Sequence, residues 1–259
     1  MFEATLKDSS LFKGIVESIK ELVVEANAEV KPEGIFIQAM DTSHVALISV
    51  NLKAEGFASF NCSSHMTLGI NMQNLSKIMK LSGSSDSVTL KANQDASNLL
   101  LIFADEKSNK KVEFDMHLLT LETEALTIPE LDYEATITMS AKEFAELCRD
   151  MHQVTETVAI STAGQKVRFL TESDIGKANT VLENTSTTKV EVTSDVNLSF
   201  SLRCLNQFNK AACFANEITI KLANSKPLLV RFLIGDLGEL KYYLAPKMSE
   251  SNKMEEEKK

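Results

Sequence analysis

The sequence contains no apolar run of 18 or more residues, so nothing in it predicts a membrane-spanning helix. Its start carries Glu3 and has no basic stretch followed by an apolar one, so no signal peptide is predicted. The four cysteines, Cys62, Cys148, Cys204 and Cys213, form no Cys-x-x-Cys pair. With no secretion signal, they are expected to be reduced packing residues in an intracellular protein. Reactive signatures are missing too: there is no Gly-x-Gly-x-x-Gly, P-loop, His-Glu-x-x-His or Gly-x-Ser-x-Gly. His44, His65, His117 and His152 are scattered, and none stands at metal-ligand spacing from another His or Cys. Cys148 and His152 are four apart on a predicted helix, but the cysteine belongs to that helix's apolar stripe and has no third partner nearby in sequence. No catalytic residue, metal site or cofactor is therefore predicted. Positive charge is scarce as well. The net charge of −9 argues, taken alone, against a nucleic-acid partner. Met248 to Lys259 holds four Glu and three Lys, so the body is acidic and any basic surface must be local.

What the sequence does have is a repeat. Phe2-Glu3-Ala4-Thr5-Leu6 returns 131 residues later as Tyr133-Glu134-Ala135-Thr136-Ile137. Met72, Leu75, Ile78 and Lys80 return as Leu202, Leu205, Phe208 and Lys210, and Val88-Thr89-Leu90-Lys91 as Ile218-Thr219-Ile220-Lys221, both at an offset of 130. Two similar domains related by a pseudo-twofold follow, and a duplicated scaffold fits a binding platform better than a catalyst. The predicted boundaries are an N-terminal domain over 1–117, a connector over 118–132, a C-terminal domain over 133–247 and a disordered charged tail over 248–259.

Short β-branched and aromatic segments predict strands in both halves: Gly34 to Met40, Val45 to Leu52, Val88 to Ala92, Leu99 to Ala104 and Val112 to Leu118 in the first. The second repeats them at Val158 to Ser161, Val167 to Leu170, Thr180 to Leu182, Lys189 to Val192, Ile218 to Leu222, Leu228 to Ile234 and Leu240 to Leu244. Short connections between them predict antiparallel sheets in an α+β fold. Four helices interrupt the strands. The first follows Asp8-Ser9 and buries Phe12, Ile15, Val16, Ile19 and Val23; the second follows Asn71, with Met72, Leu75 and Met79 inward. The third has a Ser140–Glu143 capping box and an apolar face of Phe144, Leu147, Cys148 and Met151. The fourth follows Ser201, read as a cap equivalent to Asn71, with Leu202, Leu205 and Phe208 inward. The connector carries Leu119, Leu121, Leu126, Ile128 and Leu131 where a flexible linker would be polar, so these residues pack on the body or await a partner.

Each helix also carries cations away from its packing face: Lys13 and Lys20, Lys77 and Lys80, Lys142 and Arg149, Arg203 and Lys210. An ordinary solvated helix face explains such spacing, and Glu17 and Glu21 make that reading fit the first helix well. Were all four helices turned to one cavity, the cations would focus a positive field inside an acidic protein.

Several segments are specific in combination: Met1-Phe2-Glu3-Ala4, Gln38-Ala39-Met40-Asp41-Thr42-Ser43-His44-Val45, Leu68-Gly69-Ile70 running to Leu75-Ser76-Lys77-Ile78, Arg149-Asp150, and Leu240-Lys241-Tyr242-Tyr243-Leu244-Ala245-Pro246-Lys247. Together they resemble the proliferating cell nuclear antigen family of eukaryotic DNA sliding clamps over essentially the full length. The resemblance implies a ring-shaped homotrimer of two-domain, duplicated DNA-clamp chains, with antiparallel sheets outside and four helices per chain lining the inner face. Double-stranded DNA would pass through without sequence readout, touched by Lys13, Lys20, Lys77, Lys80, Arg149 and Lys210, with Lys110 on an adjoining strand. The family's partners dock short apolar and aromatic motifs at positions matching Met40, His44, Val45, Leu47, Leu126, Ile128, Pro129, Pro227, Tyr243, Ala245 and Pro246. Those partners include the replicative polymerase, clamp loader, flap nuclease and ligase. Subunit contacts fall on the strand Lys110 to His117, with Phe114 packing across, and on Ile175 to Glu183, with Lys177, Thr180 and Leu182. The implied role is a nuclear, non-enzymatic polymerase processivity factor. The alternative is one subunit of a heterotrimeric checkpoint-type clamp. Two positions depart from the family. Its Arg-Cys-Asp reads Asn61-Cys62-Ser63 here, and its ubiquitin-modified lysine falls on Gly164, with Lys166 the nearest lysine.

Overall fold

A computed structural model of the protein describes residues 1–83, 85–94, 97–105, 107–122, 132–224 and 226–247. The chain divides into two units, one of Met1–Thr127 with Leu233–Lys241 and one of Ile128–Phe232 with Tyr242–Lys259.

The first unit contains β1 (Phe2–Leu6), α1 (Ser9–Lys20), β2 (Glu25–Lys31), β3 (Gly34–Met40), β4 (Ala46–Lys53), β5 (Ser59–Cys62), β6 (Met66–Asn71), α2 (Met72–Ile78), β7 (Ser87–Ala92), β8 (Asn98–Asp105) and β9 (Lys110–His117). The second contains β10 (Ala135–Ser140), α3 (Ala141–His152), β11 (Thr157–Ala163), β12 (Lys166–Ser173), β13 (Gly176–Glu183), β14 (Lys189–Val192), β15 (Asn197–Ser201), α4 (Leu202–Phe208), β16 (Glu217–Leu222) and most of β17 (Leu228–Ile234). The final strand, β18 (Gly238–Leu244), contributes its first half to unit 1, where it lies beside β4.

The duplication is explicit in strand order. Unit 1 has the runs β5-β1-β7-β8-β9 and β4-β3-β2-β6; unit 2 has β14-β10-β16-β17 and β13-β12-β11-β15. Each strand of the second unit holds the place of its counterpart in the first. The register refines the repeat seen in the sequence. Ala4 faces Leu90 and Ile137 faces Ile220. With Leu90 and Ile220 equivalent, Ala4 corresponds to Ile137, two residues beyond its match in the Phe-Glu-Ala-Thr echo. A slip of two keeps every side chain on its own face, so the amino-acid pattern alone does not reveal it.

Local signals account for the helices. Asp8 caps α1, its Oδ1 accepting from the Ser10 amide at 2.8 Å, and Asn71 caps α2 by accepting from the Asn74 amide at 2.9 Å. Ser140 accepts from the Glu143 amide at 3.4 Å on α3. Ser201 stands before α4 but makes no side-chain cap bond, so the expected equivalence with Asn71 holds in position only. Phe12, Ile15, Val16 and Ile19 are buried on α1, whereas Val23 is buried past its end. On α3, Leu147 is half-buried beside the buried Phe144, Cys148 and Met151. In unit 2, Phe208 stacks on Tyr242 with ring centroids 4.3 Å apart. The core of unit 1 keeps a small apolar cavity of about 30 Å³ among Phe12, Ile15, Ala28, Val30 and Leu68.

Six strands, β1, β2, β5, β6, β10 and β15, are additional to the segments named from the sequence. β2 reads Glu-Ala-Asn-Ala-Glu-Val-Lys and buries only its small residues and Val30, so its hydrophobic signal is weak. β6, β10 and β15 run straight into helices, so the helix pattern conceals their ends. Gly34 is one position where glycine is required: φ is +151°, and a Cβ there would lie 2.0 Å from the Leu52 carbonyl oxygen.

Candidate functional site

Lys77 on α2 and Lys80, in the 3-10 turn just past its end, are exposed, and Lys13 on α1 is half-buried. Among the described residues these three make no ion pair. Lys20 is different. It ion-pairs with Glu17, and its Nζ donates to Ser76 Oγ at 3.0 Å. In unit 2, Arg149 and Lys210 are exposed, as are Lys142 and Arg203, and Lys142 lies 4.0 Å from Glu146. Lys110 begins β9, exposed and opposite Asp105 in the ladder. The positions expected to contact DNA therefore divide into exposed cations, the half-buried Lys13 and one, Lys20, already engaged by a carboxylate.

The two predicted subunit-contact segments are both strand edges. β9 has β8 on one side, and among the described residues no strand on the other; β13 has β12 alone. Both carry exposed apolar groups. Phe114 is 38% exposed, Val181 42% and Ile175, in the turn before β13, 85%. Lys177 is exposed beside Glu172, 2.8 Å away, Thr180 and Leu182 are half-buried, and His117 is exposed with Nδ1 2.9 Å from Asn98 Oδ1. Unpaired edges with apolar side chains are unstable against pairing with another chain.

The Met40–Leu47 segment is the turn of the β3–β4 hairpin, a loop over 41–45 closed by the Met40–Leu47 pair and organised by one carboxylate. Asp41 accepts from the amides of Ser43 at 3.2 Å, Val45 at 2.9 Å and Ala46 at 2.7 Å, and from the Ser43 hydroxyl. Burial alone would raise its pKa, but these bonds outweigh it and hold the carboxyl below its usual range. His44 takes a positive φ of 56°, with Nδ1 3.3 Å from Met40 Sδ. The loop thereby presents Met40, 36% exposed, and Val45, 41% exposed, with Leu47 half-buried beside them. An open groove of about 670 Å³ runs along β2 and β3, lined by Glu25, Glu29, Met40, His44 and Leu121 among others. In the second unit Pro227, Tyr243, Ala245 and Pro246 are half-buried. Leu126, Ile128 and Pro129 lie outside the described residues, as does most of the connector, although Leu119 is held in a bridge to Gly69. Sequence reasoning named Asp41 only as part of a motif; its spacing to Ser43, as an Asx turn, is the signal that would have identified it as the loop's organiser.

Comparison with known families resolves what these surfaces belong to. Residues 1–125 match the family described as proliferating cell nuclear antigen, N-terminal domain, and residues 127–247 match its C-terminal domain. The chain belongs to the proliferating cell nuclear antigen family. It is a sliding-clamp protein, and clamps of this family are scaffolds, not catalysts. Within the clamp, burial pushes the Cys148 thiol up to about 12, so it stays protonated and is a poor nucleophile at neutral pH. His152, on the same helix, is exposed. Among the described residues no three His, Cys, Asp or Glu side chains could hold a metal ion, and no helix is long and apolar enough to cross a membrane. At Gly164, where the family's lysine falls, φ is +58°, in the left-handed region that favours glycine, and an added Cβ would meet nothing within 4 Å. Lys166, two residues on, is ion-paired with Glu183 at 2.7 Å.

Proposed function

We propose that three copies of this clamp close into a ring around duplex DNA and act in the nucleus as polymerase processivity factor and docking platform for replication and repair proteins. One observation carries the ring. Among the described residues β9 and β13 are both strand edges, each with exposed apolar side chains on it or beside it. Pairing β9 of one copy with β13 of the next removes both unpaired edges at once. That contact is head-to-tail between two different patches, the type that closes into a ring. It covers Phe114, Ile175 and Val181.

The exposed cations of α2, α3 and α4 and of the turns that follow α2 and α4, with Lys13 of α1, then face the duplex, as a sparse lining inside an acidic protein. Few cations give weak, salt-screened phosphate contacts with no base readout, so retention is topological. Met40, Val45 and Leu47 offer apolar contacts to short partner motifs of the polymerase, clamp loader, flap nuclease and ligase. Native mass of the purified chain tests the ring: a species of three 28.6 kDa chains is expected. A monomer that assembles only with other clamp chains would instead make it one subunit of a heterotrimeric checkpoint-type clamp.

A further inference from the structure

Glu17 stands one turn before Lys20 on α1 and ion-pairs with it. Ser76 on α2, only 2% exposed, joins both. Lys20 Nζ donates to Ser76 Oγ at 3.0 Å, and that hydroxyl donates to Glu17 Oε1 at 2.6 Å. Burial would raise the Glu17 pKa, but the hydrogen bonds from Lys20 and Ser76, with the charges of Lys20 and Lys80, hold it below the usual carboxylate range. Glu17 is thus ionised at neutral pH and offsets cations of the very face expected to meet phosphate.

The other half of the duplication lacks this clasp. α1 begins at Ser9 and α3 at Ala141, so Glu17 corresponds to Arg149 and Lys20 to His152. α2 begins at Met72 and α4 at Leu202, so Ser76 corresponds to Asn206, whose amide donates to the Cys148 carbonyl at 3.4 Å. A carboxylate in one half is a cation in the other.

We propose that Glu17 is a built-in brake on DNA contact: a positioning residue that holds Lys20 in the α1–α2 clasp and away from phosphates. The α3–α4 face, with Arg149 in the Glu17 position, then carries more of the contact than the α1–α2 face. This rests on the reading of the helices as facing DNA. Its consequence is mobility, because each phosphate contact removed lowers the friction of sliding.

The test is a charge cycle in the full-length protein, using Glu17→Gln, Lys20→Gln and the double variant. Binding to a short blunt duplex is followed by NMR chemical shifts across a series of salt concentrations. Glu17→Gln is expected to tighten binding and to steepen the slope of log K against log salt by about 0.9 for each Lys20 that reaches a phosphate. Lys20→Gln should leave the slope unchanged in the native background and cancel the gain in the Glu17→Gln background. A purely structural role for the clasp would alter melting but not this slope. An unchanged slope in Glu17→Gln, or an equal loss on Lys20→Gln in both backgrounds, overturns the brake. Lys77→Gln and Arg149→Gln separate this from the larger reading: if neither moves the slope, the helices do not face DNA and the proposed function itself fails.

Discussion

Replacing Phe114 by Ala should weaken the ring by an amount that the exposed edge sets. Phe114 keeps 38% of its surface open on β9. A phenylalanine buries about 200 Å² when covered, so a neighbouring strand would remove about 75 Å² more from water. At 25 cal/mol per Å² this is about 2 kcal/mol for each contact. A closed three-fold ring has three such contacts, so the loss is about 6 kcal/mol, or roughly 10⁴ in the association constant. Because trimer concentration varies as the cube of monomer concentration, the midpoint moves by the square root of that factor, about a hundredfold. The expected outcome is folded monomer at micromolar concentration. Phe114 lies opposite the buried Leu101, so the substitution also trims the edge of the first unit's core, and some loss of melting temperature accompanies it. Sedimentation equilibrium at a temperature where circular dichroism shows the native fold separates the two effects. Val181→Ala, on the other edge, should shift the midpoint in the same direction. A folded Phe114→Ala trimer with an unchanged midpoint would refute the pairing of these edges.

Three further outcomes are expected. Val30→Ile adds one methylene beside the apolar cavity of about 30 Å³ in unit 1 and should raise stability by up to about 0.8 kcal/mol, read by thermal melting; a lower melting temperature would show that the space is not usable. Asp41 has its pKa lowered in the folded protein, so its contribution to the Met40–Leu47 loop is fully present above the unfolded carboxylate range and is lost as pH falls through the lower folded value. Asp41→Asn should accordingly weaken binding of a clamp-binding peptide about tenfold at neutral pH, with the native mass unchanged, as measured by calorimetry. Cys148, with its thiol pushed up to about 12, should resist iodoacetamide at neutral pH while the exposed Cys213 is labelled; mass spectrometry showing rapid Cys148 alkylation in native protein would contradict its burial.

Much of the fold was legible because duplication presents each signal twice. Asp8, Asn71 and Ser140 mark helix starts, and apolar residues at helical spacing mark the buried faces. β2 was not legible, because Ala26 and Ala28 fill its core positions and Glu25 and Glu29 dominate its composition. The repeat itself was visible, but its two-residue slip at the first strand was not, since alternation is blind to even shifts. The strands holding Phe114 and Val181 could be recognised locally. That both are edges is a property of pairing between distant segments, and no window of sequence contains it. The lysines were equally plain, whereas the capture of Lys20 depends on Ser76, 56 residues away on another helix. Resemblance, not periodicity, supplied the docking positions. The structure shows only what shapes the loop that holds Met40, His44 and Val45: the hydrogen bonds of Asp41 and the left-handed backbone of His44.

In the proposed function the clamp holds DNA by encircling it. The most direct measurement loads the clamp, with its loader, onto nicked circular DNA, removes free protein by gel filtration and follows what stays bound before and after a single restriction cut. Encirclement gives long residence on the circle and rapid loss on linearisation, with little binding to a short open-ended duplex at physiological salt. Equal retention on circular and linear DNA would mean that adhesion holds the clamp, and would contradict the ring.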